Sequence, residues 1–141
     1  MVLLVLTLCT LVSYLGISAL FIDWLAVLLK GLFGYGYWLA GPAMLLAAFI
    51  LLTHRGRPVR LRVSCALLLP MLLGVLGHVL FCKEVYRPSI AILRDLWISG
   101  VGLISGGAVS GVLAVGSVAV FAKFVSVVIF LILFAVMLMA A

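Results

Sequence analysis

Acidic residues are nearly missing from this chain. Three Asp or Glu stand against nine Lys or Arg in 141 residues, for a formal net charge of +6. Ion-coupled routes through a membrane rely on carboxylates or histidines placed inside it, so this scarcity argues against an ion-coupled transporter. The Gly-x-x-x-x-Gly-Lys-[Ser/Thr] phosphate loop is absent from the sequence, and with it a common means of gripping nucleotide phosphates. No Ser/His/Asp or Cys/His set with polar support can be drawn, so the chain is not expected to be an enzyme. The three cysteines, Cys9, Cys65 and Cys82, form no CxxC pair and no metal-ligand spacing, and they read as free packing residues. Neither a metal nor a cofactor is expected. The N-terminal run is apolar from Val2 and lacks the basic lead of a signal peptide. That missing flank predicts that the chain starts late, inside or just before its first span.

What the sequence does contain is apolar surface. Apolar residues make up 69% of it and charged residues 9%, with a mean hydropathy of +1.56. Soluble domains hold about 45–50% apolar residues, and a small water-soluble fold leaves too much of its surface exposed to hide this excess. The composition predicts an all-α polytopic membrane protein forming one four-helix membrane domain over residues 1–141. The spans fall at about 2–22, 31–53, 63–81 and 124–141, each compatible with the about 20 residues that cross a bilayer. Short interfacial helices are predicted before spans two and four, within segments 23–30 and 86–122. All three acids then sit in outer segments. The first run has a natural helix end near Gly16, after Ser13 and Tyr14.

The strongest charge cluster fixes the orientation. Residues 54–62 read His-Arg-Gly-Arg-Pro-Val-Arg-Leu-Arg, with four arginines and no acid. Short arginine-rich loops stay on the cytoplasmic side, so Arg55, Arg57, Arg60 and Arg62 are assigned to inner-leaflet lipid or cytoplasmic contact. Both termini are then cytoplasmic. At the opposite interface Trp24, Lys30, Tyr35, Tyr37, Trp38 and Lys123 read as outer anchors, since Trp and Tyr favour the headgroup level. Lys123 interrupts the long apolar run at residues 112–141. A lysine at mid-bilayer is costly, which places it at the outer surface with the last span after it. Lys30 stands in the same relation to span two, a faint sign of a duplicated two-helix unit. Pro42 and Pro70 predict kinks. Gly34, Gly36, Gly102, Gly106, Gly107 and Gly111 read as helix-packing positions, because small residues let helices approach closely in lipid. His78, one turn from the outer end of span three, reads as an interfacial histidine touching a headgroup or a backbone carbonyl.

Several of these pieces recur in one order. Residues 29–42 (LKGLFGYGYWLAGP), the arginine hairpin at 54–62, the CALLLP stretch at 65–70 and the Gly106-Gly107 opening of the fourth unit resemble the four-helix N-terminal membrane domain of FtsK/SpoIIIE DNA translocases, in the form found in Firmicutes. The resemblance runs from about Tyr14 to Ala135. It implies a domain of the bacterial cytoplasmic membrane that anchors a hexameric ATPase ring at the division septum during chromosome partition. It also implies homo-oligomer contacts, divisome proteins as further partners, and contact with DNA only through a motor domain. The motor and its linker are not in these 141 residues, so the chain looks like a membrane-domain fragment or a truncated reading frame. The other readings the sequence leaves open are a small independent channel or transporter, and an accessory membrane protein that docks helices on the face of Gly102, Gly106 and Ser110.

Overall fold

The computed structural model describes residues 1–53, 58–83, 86 and 89–141. The described residues are helical apart from short connections, with no strand among them. The helices are α1 (Val2–Tyr14), α2 (Leu20–Phe33), α3 (Tyr37–Thr53), α4 (Pro58–Phe81), α5 (Ile92–Val101) and α6 (Gly107–Ala140), with one 3-10 turn, Gly34–Gly36, between α2 and α3. Among the described residues, three stretches are long and apolar enough to cross a membrane: Leu20–Thr53, Val59–Phe81 and Gly107–Ala140.

The predicted first span, 2–22, is not one helix. α1 stops at Tyr14, the chain turns through Leu15 and Gly16, and an extended Ala19 leads into α2. At 13 residues α1 is about 20 Å long, short of the about 30 Å hydrocarbon thickness. The predicted interfacial segment 23–30 lies inside α2. Its lysine, Lys30, sits in the last turn, where a cation meets the negative end of the helix dipole. α4 opens on proline, which suits a first helical position because its missing N–H would have no partner there.

α4 is the central element. It packs along α3 on one side and α6 on the other, while α1 covers α3, and α5 lies against α2 and α6. One core cluster holds Leu25, Ala26 and Leu29 of α2 with Tyr37 and Ala40 of α3, and Leu6, Cys9 and Tyr14 of α1 pack against it. A second joins Val75 and Val79 of α4 to Ala114 of α6, with Val118, Val127 and Phe130 packed against it.

That second cluster shows how α6 is shaped. Ala114 and Phe130 would stand about 24 Å apart along a straight helix, yet Phe130 packs against the small cluster that Ala114 forms with Val75 and Val79, themselves a single turn apart. The chain bends at Ala122, whose φ of 64° and ψ of 162° are non-helical. These angles belong to a region that only glycine enters without strain. α6 is therefore two limbs, residues 107–121 and 123–140. The second is about 27 Å long. Beyond Ala122 only Ser126 is buried, while Phe124 and Met139 are among the most exposed apolar side chains of the chain. The break falls one residue before Lys123.

Tyr14 joins α1 to α3 through the polar groups of α3's first turn. Its hydroxyl donates to the Tyr37 carbonyl at 2.5 Å and accepts from the Gly41 N–H at 2.9 Å. The Trp38 carbonyl lies 3.3 Å from the same hydroxyl; the helical partner of that carbonyl would be residue 42, a proline with no N–H to give. Ser13 and Tyr37 share a further bond at 2.9 Å, and the rings of Tyr14 and Tyr37 meet edge to face at 5.0 Å. Replacing Tyr14 by Phe keeps the ring and removes these bonds. It is expected to lower stability by about 1–2 kcal/mol, measured by denaturant unfolding in detergent micelles; an unchanged midpoint would rule out this role for the hydroxyl.

Candidate functional site

The helices meet at a crossing where backbone touches backbone. Gly34, with φ of +50°, sits under the loop before α6: a methyl group there would overlap the Ser105 carbonyl oxygen. On Gly36 it would overlap the Pro70 carbonyl of α4. Gly107, with φ of +78°, lies against Leu32, whose carbonyl would be 2.7 Å from an added methyl. Gly106 faces the Gly74 carbonyl and the Cβ of His78, at 2.7 and 2.8 Å from such a methyl, and Gly111 faces Leu96. Positive φ explains glycine at 34 and 107; close approach of helices explains it at 36, 106 and 111.

Hydrogen bonds lock the crossing. The Tyr35 N–H donates to the Ser105 carbonyl at 3.2 Å, and the Tyr35 hydroxyl donates to the Ile104 carbonyl at 2.7 Å. The Gly106 N–H donates to Nδ1 of His78 at 3.1 Å, and the Gly107 N–H to Oγ of Ser105 at 3.2 Å. Ser105 continues to Ser99 at 2.9 Å, and Ser99 accepts from the Tyr86 hydroxyl at 3.0 Å. His78 is buried, and its ring lies 5.6 Å from that of Tyr86. Because Nδ1 accepts, the ring proton is on Nε2. The sequence predicts a headgroup or a carbonyl as the partner of His78. In the structure its partner is a backbone amide at the start of α6, where helix geometry leaves N–H groups without intrahelical acceptors.

Two of the sequence assignments change. Gly102 is exposed, and its nearest neighbour is the side chain of Ile104 in the same loop, so it packs no helix. Tyr37 is only 3% exposed, a core residue rather than a surface anchor, because its hydroxyl finds Ser13 and its ring finds Tyr14. Lys30 lies over that ring with Nζ 5.1 Å from the centroid, a cation–π contact. Trp24 and Trp38 are exposed, Tyr35 is half-buried, and Lys123 is exposed. Arg60 and Arg62 project from the first turns of α4; Arg55 and Arg57 lie outside the described residues. Gly31, whose place in the glycine-rich start of span two also predicts close approach, meets the Trp97 ring at 2.7 Å if given a methyl; sequence reasoning missed Gly41, Gly74, Gly77 and Gly100, each of which also lies within 3 Å of a neighbour if given a methyl. The small-residue spacing of Gly74 and Gly77 after Pro70 was the available signal.

Beside the crossing a cleft of about 710 Å³ opens between the C-terminal end of α4 and the first limb of α6. His78 and Tyr86 line one part of it, Val79, Ala114 and Val118 another, and Lys83 and Lys123 complete the lining. Most other hydroxyls are spent locally. Thr7, Thr10, Ser64 and Ser126 each donate to the carbonyl four residues earlier, which satisfies them without making a polar path. Ser110 is buried among these helices with its hydroxyl unpaired. Among the described residues no cluster of His, Cys, Asp or Glu could hold a metal ion.

No family model matches the sequence, and neither the curated proteins nor the solved structures give a match. The weight of the glycine crossing can be measured directly. Gly34→Ala combines a strained φ with overlap on backbone and is expected to cost more than about 3 kcal/mol. Gly102→Ala should stay within about 0.5 kcal/mol of the parent. Thermal unfolding in micelles compares them; equal losses would mean that the crossing does not hold the fold.

Proposed function

We propose that this chain is the membrane-anchoring and oligomerisation domain of a septal DNA translocase of the FtsK/SpoIIIE kind, a four-span domain of the bacterial cytoplasmic membrane. The reading begins from the motif order at residues 29–42, 54–62, 65–70 and 106–107. One structural observation carries it further. Lys123 lines the same cleft as Lys83, at the C-terminal end of α4, and Phe130 packs against the Val75–Val79 cluster. The second limb of α6 thus runs back along α4, toward the end that carries Arg60 and Arg62.

If those arginines mark the cytoplasmic side, residue 141 emerges on that side too. That is where a DNA motor has to be carried. The bend at Ala122 also supports four crossings. Undivided, α6 would be about 51 Å long, well beyond the hydrocarbon core, whereas its second limb fits that thickness. In this reading α1 makes the remaining crossing together with the turn after it, the membrane thinning or flanking residues snorkelling to meet its short length. The first limb of α6 lies toward the outer leaflet. The chain's part in DNA transport is positional: it holds a ring of subunits in the membrane, and the chemistry belongs to a motor domain.

The test is sidedness and location in the cell. Single cysteines introduced at Arg60 and at Ala141 in a cysteine-free background should both react with a membrane-impermeant thiol reagent only after permeabilisation. A fluorescent fusion should gather at the division septum. A position 141 labelled from outside, or an even distribution around the cell, would overturn the proposal.

A further inference from the structure

We propose that the cleft between the end of α4 and the first limb of α6 binds an anionic phospholipid. Its phosphate sits between Lys83 and Lys123, and the upper part of an acyl chain lies on Val79, Ala114 and Val118. The proposal requires only that the chain stands in a bilayer. It does not depend on the translocase reading, so either can fail alone.

Three observations converge on this cleft. The first is its form. At about 710 Å³ it is within the range of small-molecule pockets. Its apolar walls come from facing helices, and its cations, Lys83 and Lys123, come from separate parts of the chain.

The second is charge. Both lysines are exposed and line the cleft. Two ammonium groups on the lining of an otherwise mostly apolar hollow favour a ligand with an anionic head and an apolar tail. An anionic phospholipid supplies that chemistry at the depth where a lysine at the end of an apolar helix rests.

The third is the backbone that sets Lys123 there. Ala122 holds φ 64° and ψ 162°, so the helix is interrupted immediately before Lys123. Without this break Lys123 would continue an apolar helix away from α4. With it, Lys123 stands over the same hollow as Lys83. His78 closes the inner part of the cleft, its Nδ1 already committed to the Gly106 N–H, so the pocket floor is fixed to the glycine crossing.

The experiment is native mass spectrometry of the full chain released from detergent, titrated with phosphatidylglycerol and with phosphatidylcholine of the same acyl chains. One phosphatidylglycerol per chain should be retained at least about tenfold more tightly than phosphatidylcholine. Lys83→Gln with Lys123→Gln should weaken phosphatidylglycerol about 25-fold, taking about fivefold per lysine at a membrane surface. Arg60→Gln with Arg62→Gln, at the other end of α4, should leave the tight lipid in place. Glycerol phosphate, which has the head and no tail, should not be retained. Should the lysine variant misfold by circular dichroism, Ala119→Trp fills the cleft with both charges intact and should reduce retention at least about tenfold. Equal retention of the two lipids, loss through the arginines instead of the lysines, tight glycerol phosphate binding, or full retention by the tryptophan variant would each overturn the proposal.

Discussion

The fold depends on one steric condition: three stretches of backbone must come into direct contact at the middle of the molecule. The 3-10 turn Gly34–Gly36, the Pro70–Gly77 portion of α4 and the start of α6 at Gly106-Gly107 leave no room for a side chain between them. In lipid no hydrophobic force draws helices together, because acyl tails are as apolar as leucine. Association rests on close packing and on hydrogen bonds, and both strengthen when the backbones touch. The amides of Tyr35 and Gly106, at element starts with no helical acceptor, find the Ser105 carbonyl and His78 across the crossing. The interruption between α2 and α3 and the loop before α6 are thus shaped by the contact they make.

From this crossing the rest of the bundle is arranged. α3 leaves it on one side, capped by the hydroxyl of Tyr14 from α1. α6 leaves it along α4, reaches Ala122 and returns. The molecule consequently has two unlike ends. One carries Arg60 and Arg62 at the start of α4; the other carries Lys83, Lys123 and the cleft between them. The residues between are apolar and widely exposed, as a surface facing hydrocarbon requires.

Much of this was legible in the sequence, and the part that was not has a common cause. The helical class follows from composition. The break before Lys123 follows from the cost of a charge in lipid, and the arginine cluster at 54–62 marks one end of a span. What the sequence did not reveal is which way side chains face. In a water-soluble helix the polar face announces the buried one. In α3 and in the last limb of α6 both faces are apolar, so the pattern that would have moved Tyr37 from the surface to the core is missing. The role of Tyr14 was hidden for the same reason; its bonds to the first turn of α3 depend on neighbours 23 to 27 positions away, from Tyr37 to Gly41. Gly102 shows the converse. Its spacing to Gly106 fits a small-residue pair, yet α5 has ended at Val101, so the two never share a helical face.

The bend at Ala122 has a mechanical consequence. The last limb keeps one face toward its own chain, with Ser126 buried and Val127, Phe130, Phe134 and Met137 half-buried, while most of its other side chains are exposed. Tension pulling along that limb from its far end would pass to the bend at Ala122 and, through the packing of Val127 and Phe130, to the cluster of Val75, Val79 and Ala114. Any load on the far end of the limb is therefore borne by the same residues that hold α4 against α6.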